Sequence, residues 1–475
     1  MPLIALERAC LHSTELPSRN GTLAKFTANL DDPKSRRRIY AGIASVLYIL
    51  GLLMLVLRVR YGYSDRRFDF ANSDGKFYYA YVAAAFVDGD LSPQIAYRHW
   101  EYKPADTAHL DAFGRPVNIY PVGVSLTIIP SFAVAHVASL AVHGITKSNL
   151  FLPDGYSLLY QLFNFAWMTY LAWATFVMLD KLMVRYFKLT GPAILLAILG
   201  AWIGTQYVYH QLRFPLMSVI AGPFWATALV YLAAAAVEEI EESRMVTRRW
   251  AGMVFCLAMA FVCRNTNAIF ALFVVWPFWL LIRAGLLGKL IRQAPLLLAA
   301  CIPIFLQMCV WKYQFNHFLA VSYGSEARFY WAHPAFWQIM FSVRTGMFLW
   351  APVWALGTLG ALMYVRGGYR GSWIVGTYLL AFLVLWYVNS SYWAWPFSNY
   401  PNRGFLEMIG LPALGLGLLL HETRKSLTQR RLVLGILAAG TLFTLAMGLA
   451  YDTRRVRRYG DEVNQMGPIG ARWAR

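Results

Sequence analysis

Charge is scarce in this chain. Only 14% of its 475 residues are Asp, Glu, Lys or Arg, against roughly 25% in ordinary soluble domains, and that excludes a globular domain with a solvated surface. Acidic residues are the scarcer sign, 24 against 43 Lys and Arg. The cysteines Cys10, Cys256, Cys263, Cys301 and Cys309 show no Cys-x-x-Cys spacing, and all but Cys10 lie in apolar runs. They read as small buried hydrophobes, so neither a zinc site nor a disulfide framework is expected. A cleavable leader is not expected either. Residues 1–38 are polar and end in Arg36-Arg37-Arg38, directly before the apolar run Ile39–Leu57. That order predicts a disordered cytoplasmic tail over 1–38 and an uncleaved first span.

Apolar sequence is what the chain has in quantity: 58% of it is hydrophobic and the mean hydropathy is +0.45. Runs of about 20 apolar residues suffice to cross a bilayer. They predict an all-α polytopic membrane protein with about 11–13 transmembrane helices, at roughly 39–58, 117–142, 156–179, 191–210, 216–236, 250–266, 268–284, 295–312, 347–365, 373–390, 405–420 and 432–450. A net charge of +19 raises the question of nucleic acid. The basic residues, however, sit in short blocks between apolar runs, a placement that fits the positive-inside rule and membrane lipids rather than a nucleic-acid partner. The blocks Lys181/Arg185/Lys188, Arg244/Arg248/Arg249, Arg283/Lys289/Arg292, Arg366/Arg370 and Arg424/Lys425/Arg430/Arg431 mark cytoplasmic loops. The transmembrane unit then covers 39–450, with a first outer loop at 60–116 and a polar tail at 451–475. One conflict stands. If 117–142 and 156–179 both cross, the Lys181–Lys188 block falls outside. Pro121 and Pro130 suggest that 117–142 is partly re-entrant or contains two short passes.

The scarce carboxylates are concentrated. Asp65, Asp69, Asp74, Asp88, Asp90, Glu101, Asp106 and Asp111 all fall between Arg60 and Pro121. Within that loop, Ser73–Val87 has Phe77, Tyr81, Ala84 and Ala85 at helical spacing, which predicts an amphipathic helix lying along the membrane surface. Asp74 at its start is either an N-cap or a general base at the membrane face. Asp88-Gly89-Asp90 is either a turn or a pair of oxygen ligands for a divalent cation. Asn118-Ile119-Tyr120-Pro121 bends the chain at the mouth of a span. Further outer segments carry His210 and Arg213, then Glu326, then Arg344, and finally Trp393, Asn402 and Arg403 in a Trp-rich stretch. Aromatic residues there serve either an interfacial belt or a sugar-stacking platform. Arginines on the outer side run against the positive bias, so each calls for an anionic partner such as a phosphate.

In order and spacing these pieces resemble the GT-C superfamily of membrane glycosyltransferases, in particular the bacterial group related to protein O-mannosyltransferases and lipid A aminoarabinose transferases. The resemblance runs from about residue 40 to 420. It rests on Ser73-Asp74-Gly75 with Tyr78-Tyr79-Ala80-Tyr81, Asp88-Gly89-Asp90-Leu91 and Asn118 with Tyr120-Pro121-Val122-Gly123. It continues through Arg264, Phe341-Ser342 with Arg344, Gly346-Met347-Phe348, Trp350-Ala351-Pro352 and Asn402-Arg403. It implies a polyprenyl-phosphate sugar as donor, a glycan, lipid or protein as acceptor, and an active site on the periplasmic face of the bacterial inner membrane. It also implies Asp74 as catalytic base, for which Asp69, Asp88 and Asp90 are the fallback carboxylates and Tyr78 a further site candidate. Lys103, in Glu101-Tyr102-Lys103-Pro104, matches a phosphate-binding lysine, beside Arg213, Arg344 and Arg403. Where relatives carry a Gly-rich run, this chain has Pro396-Phe397-Ser398-Asn399-Tyr400-Pro401, which leaves the acceptor undefined. The alternative expectation is a transporter or flippase for lipid-linked glycans. Ion-coupled carriers place a carboxylate at the membrane midplane, and no predicted span has one in its middle.

Overall fold

The computed structural model describes residues 29–61, 70–71, 73–100, 116–244, 246–323, 327–343, 345–395 and 402–453. Among these there is no strand, and Phe329 and Tyr392 form an isolated antiparallel bridge. Helices dominate because a backbone in lipid has to satisfy its own hydrogen bonds. In chain order they are α1 (Pro33–Tyr61), α2 (Gly75–Ala83), α3 (Gln94–His99), α4 (Gly123–Thr146) and α5 (Leu158–Leu182). Next come α6 (Gly191–Ile203), α7 (Tyr207–Arg213), α8 (Ser218–Glu241), α9 (Thr247–Cys263), α10 (Leu272–Arg283), α11 (Leu287–Ile291), α12 (Ala294–Ala300) and α13 (Ile302–Phe315). The last six are α14 (Phe336–Phe341), α15 (Met347–Trp350), α16 (Pro352–Tyr364), α17 (Ser372–Ser391), α18 (Gly410–Glu422) and α19 (Leu427–Asp452).

Among the described residues seven helices are long and apolar enough to cross a membrane, or up to nine candidates if the bent pairs α6–α7 and α12–α13 each count as one. The chain is a multi-pass membrane protein. This count falls below the expected 11–13 because several apolar runs do not form one long helix: α9 has 17 residues, and α16 and α18 have 13 each. The last two compensate by packing without intervening side chains. A Cβ on Gly415 would stand 1.9 Å from the carbonyl oxygen of Gly357.

Ion pairs define one end of the bundle. Arg36 of α1 donates to both carboxylate oxygens of Asp180 in α5, at 2.7 and 2.9 Å. Arg185 and Arg370 both pair with Glu238 near the end of α8, Arg249 pairs with Glu239 at 3.0 Å, and the Thr190 amide donates to His421. Basic blocks from distant loops therefore meet at the end where α1 begins. α1 itself starts at Pro33, inside the stretch read as a tail, because Arg36 finds a buried partner there instead of water.

The opposite end gathers the starts of α2 and α8 and the ends of α9 and α17. Gly75 packs on Leu216, and Gly123 packs on Val262 and Cys263. A strap at 328–335 is laced to the end of α17 by Tyr330 N to Ser391 O (2.6 Å), Trp393 N to Arg328 O (3.1 Å) and Ala335 N to Ser390 O (2.8 Å). From Ser218 to Glu238 the helical rise is about 30 Å, the thickness of a bilayer's hydrocarbon core.

α4 resolves the conflict over sidedness. It is long and apolar enough to cross, yet it runs antiparallel to α5, with Trp167 donating to Thr127 O, Ser131 to Asn164 and His136 meeting Tyr160. Beside α2 it runs parallel, through Ser125 to Tyr78 O and Phe132 against Phe86. After α4 the chain is back at α2, where Tyr79 Oη donates to Gly155 O at 2.5 Å. α4 thus leaves and re-enters the same end of the bundle. α5 then carries Lys181–Lys188 to the end held by Arg36. In place of two short passes, α4 is one continuous helix of 24 residues.

α2 corrects a second expectation. Gly75 and Phe77–Ala83 are all buried, so this helix does not lie along a surface. Its aromatic side chains are buried, with Tyr78 at the edge of a cavity.

Candidate functional site

A cavity of about 540 Å³ opens at the end opposite the basic blocks. Its charged lining residues are Asp74, Arg264 and Arg403, joined by Asn389 and Asn402. Aromatic walls come from Tyr78, Tyr120, Tyr323, Phe329, Tyr392 and Trp395.

Asp74 precedes α2 with helical backbone angles and makes no capping hydrogen bond. Its carboxylate accepts from Arg403 Nη2 instead, and both side chains are 21% exposed. Of the two roles read from the sequence, the cap is the one the geometry does not use. Arg403 is aimed by the residue before it. Asn402 adopts the left-handed region, φ 37° and ψ 59°, which Asn tolerates better than most side chains, and its amide donates to Ile339 O at 3.0 Å. The turn swings Arg403 onto Asp74. Burial opposes the Arg403 charge, and Asp74 with Tyr120 and Tyr78 more than offsets it, so its pKa lies above the ordinary arginine value.

Arg264 sits where α9 breaks, with extended backbone, before the 3-10 turn Asn265–Ala271. Its Nη1 reaches Glu407 at 3.4 Å. Asn389, near the end of α17, donates to Gly404 O at 3.0 Å and ties α17 to the Arg403 turn.

The Asn118–Pro121 stretch is clamped from several sides. The Asn118 amide group donates to Phe77 O at 2.7 Å, its backbone N–H donates to Gln314, and Tyr81 Oη donates to Tyr120 O at 2.9 Å. The clamp presents Tyr120 to the cavity, stacked on Phe77 at 5.0 Å and edge-on to Tyr323 at 5.8 Å. Burial, with Asp74 contributing, raises the Tyr120 hydroxyl well above its usual pKa, and Tyr323 follows for the same main reason. Burial pushes Tyr78 up to about 12, against a hydrogen bond with Ser218 that lowers it. These hydroxyls stay neutral at physiological pH.

Of the residues picked from sequence, Asp74, Tyr78, Asn402 and Arg403 meet in this cavity, and Trp393 lies between its lining neighbours Tyr392 and Ala394. Asp88 and Asp90 do not join them. Gly89 has φ 66°, and Asp90 accepts from Ser92 N at 3.2 Å and from Tyr313 Oη at 2.6 Å. This is the turn reading of Asp-Gly-Asp. The Tyr313 hydrogen bond holds the Asp90 carboxyl below its usual range, while burial and then Asp90 raise Asp88. Among the described residues no three His, Cys, Asp or Glu side chains are grouped to hold a metal ion. Arg213 and His210 are also elsewhere. Arg213 pairs with Asp452 of α19 at 2.6 Å, an anionic partner that local sequence gives no hint of. His210 is buried against Tyr209 and Phe214. Asp69, Lys103, Glu326 and Arg344 lie outside the described residues.

Arg264 is the charged cavity residue that site selection from sequence passed over. Its signal was a lone cation at the end of an apolar run, matched by a lone carboxylate, Glu407, in another. Comparison of the chain with protein-family models, with curated proteins and with solved structures finds no match.

Proposed function

We propose that this protein is an inverting membrane glycosyltransferase that moves a sugar from a polyprenyl-phosphate donor to an acceptor hydroxyl, on the periplasmic face of a bacterial inner membrane. The observation that carries this reading is the cavity itself, where one carboxylate and two arginines meet between aromatic walls at the end away from the basic blocks. Asp74 takes the proton of the acceptor hydroxyl. The freed oxygen attacks the anomeric carbon, the bond from that carbon to the phosphate oxygen breaks, and the polyprenyl phosphate leaves with the bonding pair. Cations beside that oxygen stabilise the charge it gains. The tyrosine and tryptophan faces suit a sugar ring and its hydroxyls.

The test is transfer of label from a panel of radiolabelled polyprenyl-phosphate sugars to host membrane extract, with wild type beside Asp74→Asn. Loss of a general base is expected to cost about 10²- to 10⁴-fold in rate, with the protein still expressed and monodisperse. Full activity in Asp74→Asn would sink the assignment. Donor binding with neither transfer nor hydrolysis in wild type would favour a flippase.

A further inference from the structure

The two cavity arginines are not equivalent. Arg403 is committed to protein: its Nη2 is on Asp74 and its Nη1 lies 3.5 Å from Met217 Sδ. Arg264 lines the same cavity and is 26% exposed. Among the described residues its guanidinium donates only through Nη1, to Glu407 at 3.4 and 3.5 Å, the long limit of such contacts. A guanidinium carries five N–H donors, so most of this one remains for a ligand. Glu407 is only 1% exposed and stands behind Arg264, outside the cavity lining.

Two glycines make room for the arrangement. A Cβ on Gly222 would stand 3.0 Å from Glu407 Cγ, and one on Gly404 would stand 3.4 Å from Arg264 Nη2. A buried carboxylate that touches one edge of an arginine fixes the plane of the guanidinium and leaves the other edge to face the cavity. That edge matches two oxygens of a phosphate.

On the donor class proposed above, we infer a division of labour. Arg264 is the cation that binds the lipid phosphate, Glu407 is its positioning residue, and Arg403 serves Asp74. Lipid-phosphate binding is then separable from sugar transfer, because Asp74 and Arg403 lie on the other side of the assignment.

The experiment measures binding of radiolabelled polyprenyl monophosphate, which carries no sugar, to the full chain in nanodiscs. Arg264→Gln is expected to weaken binding about 10- to 100-fold, the range for losing hydrogen bonds to a charged group. Glu407→Gln weakens it less and Glu407→Asp restores part of the loss. Because Glu407→Gln or Arg264→Gln alone leaves a charge without its partner and threatens folding, the double variant Arg264→Gln/Glu407→Gln is the deciding sample. It strands no charge, and it is expected to be monodisperse and still fail to bind. Binding at wild-type strength in the double variant would show that the pair is only structural and overturn the inference alone. A wild-type protein that binds no lipid phosphate would overturn it together with the donor class.

Discussion

The pair that joins α1 to α5 gives the most quantitative prediction. Arg36 and Asp180 are 1% and 0% exposed, and their shell is complete. Asp180 accepts twice from Arg36 and once from Tyr40 at 2.8 Å, and Arg36 also donates to Leu30 O at 2.6 Å and Asp31 O at 3.1 Å. Removing one partner from such a pair costs about 3–5 kcal/mol, because the other charge is left buried and uncompensated. Asp180→Leu, which keeps no acceptor for Arg36 or Tyr40, belongs near the upper figure, and Asp180→Asn, which keeps one, near the lower. The double variant Arg36→Met/Asp180→Leu strands no charge and is expected to recover most of the loss. Midpoints of thermal aggregation in detergent should therefore order as wild type, double variant, Asp180→Asn, Asp180→Leu. The order should hold at high salt, since buried pairs are screened far less than exposed ones. If the double variant melts as low as the sum of its single variants, the two residues do not act as a pair and the reasoning fails.

Three further outcomes follow from the packing. In a background without native cysteines, a cysteine at Lys147 is expected to react with a membrane-impermeant maleimide from the same side as one at Thr453, and from the side opposite one at Lys425; labelling of Lys147 with Lys425 would show that α4 crosses. Gly415→Ala places a Cβ 1.9 Å from a backbone oxygen of the neighbouring helix, so it is expected to destabilise by about 1–3 kcal/mol, read as a lower melting midpoint, and an unchanged midpoint would contradict the tight α16–α18 contact. Asp88→Asn and Asp90→Asn are expected to keep the proposed transfer within about threefold of wild type, since turn carboxylates lie outside the proposed catalytic set. For Asp90 the depressed pKa means that its contribution to the turn is present above the ordinary Asp range and lost only as pH falls below it. A tenfold loss of activity in either variant would bring the pair back into the site.

Much of the fold was legible in the sequence, for reasons that can be named. Apolar run length gives helices, and clustered Lys and Arg give a common end. Neither shows that α4 turns back, because hydropathy records that a helix suits lipid and not which end of the bundle it reaches. That fact lives in the contacts of Thr127, Ser131 and His136 with α5. Asp74 and Arg403 were both selectable, one as a carboxylate in an outer loop and the other as an arginine on the side where arginine is disfavoured. Their direct pairing across 329 positions was not, since it depends on the turn at Asn402. Arg213 satisfied the same outer-arginine criterion and proved to serve Asp452, so the criterion finds arginines with anionic partners without telling a ligand from a helix end. Arg264 and Glu407 each looked like an isolated charge at the edge of an apolar run, and only the tertiary structure makes them one unit.

The return of α4 to its own end has an arithmetic consequence. Any inventory that counts apolar helices and alternates sides will add one crossing at α4 and invert the parity of everything after it. Reporter fusions placed along the chain would then agree with such a map up to Gly123 and contradict it at every later loop, a pattern easily taken for dual insertion. With α4 left out of the alternation, the described chain starts at one face with Arg36 and finishes at the other, where Asp452 meets Arg213. A single orientation then accounts for the whole set of fusions.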